Sequence, residues 1–183
     1  MKLLFIVSSL ITVTGFFSCG TAPPASVSPA PTPATDWRLY TPPDKSFSVE
    51  LPCEPKQTNV SASATPLYEY SCNPDDGGSL RIFLISVTDF KEAKLPDDAA
   101  FERSIKESFP PNHRIVKIFP ITIDGGKGRE LIMANTRDEM DNARARVIIF
   151  GTHRFEVGYV APEIKLLESP EADRFFAGFK PLN

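Results

Sequence analysis

The sequence predicts an α+β domain, mainly antiparallel β-sheet with helices covering both faces, and three observations carry that prediction. Between residues 37 and 160 most segments alternate apolar and polar residues, which is strand patterning. The run Val147-Ile148-Ile149-Phe150 is apolar at consecutive positions, so its strand must be buried on both sides by helices or loops. Helical stripes occur twice, at Phe101, Ile105 and Phe109 and again at Ala172, Phe175, Phe176 and Phe179.

Taken in order, residues 37–41 and 47–51 form a hairpin around Thr-Pro-Pro-Asp-Lys, with Phe47, Val49 and Leu51 on one face. Two further arms, residues 55–60 and 66–72, flank the small residues Ser-Ala-Ser-Ala. Centring that turn between Ala62 and Ser63 sets Cys53 opposite Cys72, where a cross-strand disulfide is allowed; two separate buried thiols are the alternative. Asn-Pro-Asp-Asp-Gly-Gly-Ser is a turn, and the strand after it is apolar on both faces. Asp97 or Asp98 caps the first helix, and Pro110-Pro111 ends it. Four strands follow, in residues 114–123, 126–135, 144–150 and 154–160. Asp124-Gly125-Gly126 joins the first two, and Gly151-Thr152 is a tight loop pairing Ile148 with Phe155 and Arg146 with Val157. Ser169 caps a short C-terminal docking helix, with Pro170 in its first turn and Glu171 and Asp173 at its positive end.

Composition bounds the function. In 183 residues, 42% are hydrophobic and 23% charged, which is globular composition. The net charge of −3 supplies no footprint for nucleic acid. Phe occurs 14 times and Trp once, so the core is expected to be phenylalanine-rich. Residues 1–18 begin with one Lys, continue through an apolar run and end in small residues, the layout of a secretory signal. No stop-transfer charge cluster follows, as a permanent span would require.

Phe16-Phe17-Ser18-Cys19 resembles a bacterial lipoprotein lipobox. That resemblance implies lipidation of Cys19, cleavage just before it, and, with Gly20 rather than Asp next, sorting to an outer membrane facing the periplasm. Ordinary cleavage after Gly20 is the alternative. Three cysteines leave Cys53 and Cys72 as a pair once Cys19 is set aside. Residues 19–35 then read as a lipidated Cys and a Pro/Ala/Ser/Thr-rich tether. Five prolines in its sixteen residues after Cys19 favour extended geometry, with a reach of about 50 Å. Residues 36–183 form a single globular domain.

The blocks FSVELPCEPK, GKGREL, RARVIIFGTHRFEVGYV and SPEADRFFAGFK, spanning about residues 37–180, are similar to bacterial domains allied to the PsbP/Mog1-like fold. The resemblance implies an antiparallel sheet between helical layers, an α/β/α sandwich. Members include a photosystem II extrinsic subunit and a nuclear GTPase-binding protein, functions that belong to surfaces and do not travel with the fold.

No catalytic, cofactor or metal site is legible. His113 and His153 lie in different elements without zinc-ligand spacing. The Gly-rich stretch 124–128 lacks phosphate-loop spacing and joins two strands. Asp138, Glu139 and Asp141 lack the spacing of a calcium loop and read as a solvated hairpin tip. Arg144 and Arg146 share a strand face, with Arg129 expected nearby on the neighbouring strand, and together with loop 137–143 they are the candidate partner surface. The expectation is a non-enzymatic envelope lipoprotein, held to the bilayer by acylated Cys19, that presents a surface to an envelope protein. The alternative is a periplasmic carrier of a small apolar ligand, which needs a hollow, Phe-lined core.

Overall fold

The computed structural model describes residues 36–59, 67–74, 81–89, 97–109, 112–137 and 141–182. The signal, Cys19, the tether and the Ser-Ala-Ser-Ala turn lie outside the described residues. Ten strands form two antiparallel sheets among those described. The smaller has the order β1-β2-β10, from Arg38–Tyr40, Phe47–Leu51 and Lys180–Pro181. The larger has the order β3-β4-β5-β9-β8-β7-β6. Its strands are β3 (Lys56–Asn59), β4 (Leu67–Cys72), β5 (Ile82–Asp89), β6 (His113–Ile123), β7 (Gly126–Asn135), β8 (Asn142–Phe150) and β9 (His153–Ala161).

Turn chemistry sets the hairpins. Asp124 and Gly125 both take positive φ, 49° and 90°, which twists the β6–β7 connection the way the flanking strands require. Gly151, at φ 57°, opens the β8–β9 loop, and the register pairs Ile148 with Phe155 and Arg146 with Val157, as expected. Helix α1 (Asp98–Ser108) is capped by Asp97, whose carboxylate accepts from the Ala100 N–H at 2.8 Å. Helix α2 (Pro170–Gly178) starts on Ser169, whose hydroxyl accepts from the Ala172 N–H at 3.3 Å. The 3-10 turn Ile164–Glu168 and strand β10 have no counterpart in the expected elements.

The expected α/β/α sandwich is not formed, because helices do not cover both faces. The inner face of the large sheet packs against the small sheet, α2 and the 3-10 turn. Phe47, Val49 and Leu51 of β2 join Tyr70, Phe83, Ile85 and Phe155 of the large sheet in one core. Phe175, Phe176 and Phe179 from the chain's end complete it, and rings contact one another throughout, with Phe47 and Phe179 stacked at 5.7 Å. Among the described residues the outer face carries only α1, whose Phe101 and Ile105 pack on Leu131, Met133, Ala145 and Val147 of β7 and β8. Helix α1 lies along β7, with Asp98 at Arg129 and Phe109 beside Met133, so it covers a width of about 10 Å. Seven strands about 4.8 Å apart span about 29 Å. Within the run Val147-Ile148-Ile149-Phe150, Val147 is buried under α1 and Ile148 in the aromatic core, Ile149 and Phe150 are half-buried, and strands supply most of the inner cover.

Cys53 and Cys72 are disulfide-bonded, with Cα atoms 5.8 Å apart. The register differs from expectation: Lys56 pairs with Ser71 and Gln57 with Tyr70, a slip of two residues. Cys72 is therefore not directly opposite Cys53, which sits in the bend between β2 and β3. A slip of two leaves every side chain on its original face, so the thiols still meet. The bond ties the bend leaving the small sheet to β4 of the large one.

Two outcomes follow from this core. Replacing Cys53 and Cys72 by Ser opens a loop of sequence separation 19 and is expected to cost about 3 kcal/mol, read as a lower urea midpoint than that of the oxidised protein. An unchanged midpoint would mean that the bond does not form. Burial first, then the Asp44 charge, pushes the Tyr70 hydroxyl up to about 12, and burial, then Glu171, does the same for Tyr159. Ordinary tyrosines ionise near pH 10, so above that pH the unfolded chain releases protons that the folded chain keeps. Stability is expected to be unaffected by these groups below about pH 10 and to fall between about 10 and 12. Denaturant midpoints across that range, compared with Tyr159→Phe, measure the loss.

Candidate functional site

The arginines expected to face a partner are engaged inside the fold. Glu130 of β7 is only 4% exposed and lies opposite Arg146 in the β7–β8 register. Arg144 donates from Nε to its Oε1 at 2.9 Å, and Arg146 donates from Nε to its Oε2 at 2.6 Å. Arg146 also donates to the Phe176 carbonyl at 2.8 Å, and Arg144 pairs with Asp173 at 2.6 Å. Both guanidiniums stack on the Phe176 ring, at 4.7 and 4.9 Å from its centroid. Burial would lower the Arg144 pKa, but its bonds to Asp173 and Glu130 outweigh burial and hold it above the ordinary value. The pair is thus a lock between the sheet and α2 rather than an offered surface. Arg129 projects to the opposite face, where it contacts Asp98 at 3.1 Å and Glu102 at 3.3 Å and pins the start of α1.

The remaining residues singled out from sequence fall apart from one another. In the 137–143 loop, residues 138–140 lie outside the described residues; the Arg137 N–H donates to Asn135 at 3.0 Å, and Asp141 takes φ 62°. His113, at the start of β6, has Nε2 3.3 Å from the Asp141 carbonyl, while its buried Nδ1 has no hydrogen-bond partner among the described residues. His153, at the start of β9, pairs through Nδ1 with Asp89. Stretch 124–128 is the β6–β7 turn and the first residues of β7. Among the described residues no cluster of three His, Cys, Asp or Glu stands ready for a metal, and no helix is long and apolar enough to cross a membrane.

What sequence reasoning missed is a dent in the outer face. Strand alternation turns Phe83 and Ile85 into the core and Leu84 and Ser86 outward. One row across the sheet reads Leu84, Gly158, Ala145 and Leu131. The next reads Ile82, Val160, Ala143 and Met133. Small residues thus stand side by side between larger ones, and α1 packs on the β7 and β8 side of them. The result is an apolar trough of about 180 Å³, walled by Leu84 on one side and by Met133 and Phe109 on the other. Ser86 and Glu156 lie at one end and His113 at the other. A β-carbon at Gly158 would meet only the Leu84 Cβ, at 3.8 Å, so the space above the strand is open. The one signal in the sequence was a glycine inside a strand, which marks weak local packing or close approach by something else. Two larger clefts, about 650 Å³ beside Asn135 and Asn142 and about 340 Å³ beside Cys53, have mixed polar and apolar linings.

The lock makes a direct prediction. Glu130→Gln leaves two nearly buried guanidiniums facing a neutral amide and is expected to cost about 3–5 kcal/mol. Urea unfolding measures it; a change under about 1 kcal/mol would mean that the network is surface-like and contributes little.

Comparison with known proteins bears on the fold. No protein-family profile and no curated protein matches the chain. Among solved structures, a Pseudomonas aeruginosa protein of unknown function aligns over 71% of this chain and 85% of its own, at 18% identity and a TM-score of 0.44. The solution structure of cyanobacterial PsbP from Synechocystis aligns over 85% of this chain and 98% of its own, at 9% identity and a TM-score of 0.54. The fold of this chain is PsbP-like.

Proposed function

We propose that this protein is a lipid-anchored accessory module of a bacterial envelope, which works by binding another protein and performs no chemistry of its own. The anchor is Cys19, at the seam between an apolar run and a proline-rich tract, and Gly20 after it favours the outer membrane, facing the periplasm. Several acyl chains on one residue hold far more firmly than a single chain, at about 0.8 kcal/mol per buried methylene. The observation that carries the binding reading is the open half of the outer sheet face, with its apolar trough beside α1. Exposed apolar concavity on a rigid sheet is where recognition is commonly built. The hollow, Phe-lined core that a carrier needs is not favoured, because the phenylalanines of the inner core pack ring on ring.

In intact cells, the mature protein is expected to start at a diacylglyceryl-modified Cys19 by mass spectrometry and to become soluble on Cys19→Ser. An unmodified start at Thr21 would overturn the anchor. A photo-cross-linker at Thr88 on the outer face is expected to give one reproducible protein adduct, absent with the probe at Arg174 on α2. Equal adducts from both positions, or none from either, would overturn the binding face.

A further inference from the structure

We infer that the trough on the outer face is the seat for one neutral aromatic side chain presented by the protein partner, a reading that rests on the binding function proposed above. Size argues for a single ring: the trough holds about 180 Å³, and an apolar cavity of about 150 Å³ takes one benzene. Shape argues for a flat group. Gly158 and Ala145 are register partners on adjacent strands, so the floor is two strands wide and lined by the two smallest residues. Among the described residues a β-carbon at Gly158 would meet only the Leu84 Cβ, at 3.8 Å.

The walls suit an aromatic guest. Met133 supplies a polarisable thioether and Phe109 an aromatic ring to the lining, contacts that favour aromatic over aliphatic partners. Charge argues for neutrality. The Glu156 carboxylate at one end is held by Arg154 at 2.6 Å, and His113 Nε2 at the other lies 3.3 Å from the Asp141 carbonyl. A charged side chain entering the trough would be desolvated without a free counter-charge. A buried aromatic in a small pocket ringed by weaker contacts is the usual form of an interface hot spot.

The test titrates the full chain, in detergent and with ¹⁵N labelling, with N-acetylphenylalanine amide. Saturable shifts are expected at the Gly158 and Ala145 amides. N-acetylleucine amide is expected to bind at least about fivefold more weakly, and Gly158→Leu to weaken the phenylalanine probe at least about tenfold. The Gly158→Leu protein should keep its melting temperature, since its β-carbon has room; if it does not, Gly158→Val replaces it. Absence of saturable shifts, equal binding of the leucine probe, or undiminished binding to the filled variant would each overturn the inference. So would a dimer that Gly158→Leu dissociates, which would give the trough to a second copy. The Thr88 cross-link separates the two levels. If it persists in Gly158→Leu, the module binds its partner without the trough and only this inference falls. If it is lost with the fold intact, the trough is the partner's seat.

Discussion

A sheet about 29 Å across meeting a single described helix that lies along β7 and is about 10 Å wide is the constraint from which the rest of this architecture follows. The inner face is covered by a second sheet and a C-terminal helix, which together bury a continuous layer of rings. The outer face has α1 and little else among the described residues, and α1 is fixed over β7 and β8 by Phe101, Ile105 and the Arg129 ion pairs. Where the helix stops, the strands carry small residues, and the sheet surface is left concave. The same shortage of helical cover that excludes an α/β/α sandwich creates the candidate site.

Holding α2 in place is largely the task of one buried carboxylate. Glu130 neutralises Arg144 and Arg146, and the two guanidiniums use their remaining donors on carbonyls and a carboxylate of the 3-10 turn and α2. Such a network is a poor source of net stability, because desolvation offsets most of the attraction. Its value lies in geometry: Arg144 Nη1 reaches both the Leu167 carbonyl and Asp173, and Arg146 reaches the Phe176 carbonyl, so the network ties the sheet to the 3-10 turn and to α2 at two points. It also accounts for two arginines on one strand face that are mostly buried. Their long stems and fork-shaped heads suit internal docking as well as external recognition.

The disulfide shows how a sequence argument can reach the right pair by an imperfect route. Turn centring gave a register two residues away from the one formed. Because strand side chains repeat every two residues, that error preserves faces, and the extra reach needed at Cys53 is supplied by the bend after β2. An error of one residue would have put the sulfurs on opposite sides of the sheet.

Local chemistry in the sequence determined the strands from β6 to β9, the two helices with Asp97 and Ser169 as caps, the β8–β9 register through Gly151, and the pairing of Cys53 with Cys72. These depend on neighbours within a few residues or on simple alternation, which a linear reading contains. Only the tertiary structure decided which layer lies on which face, that Glu130 receives Arg144 and Arg146, and that Gly158 and Ala145 stand together beside α1. Those outcomes join β5, β7, β8, β9 and α2, segments separated by tens of residues. They turn on how little of a wide sheet one helix laid along its strands can cover, a proportion that no local pattern encodes.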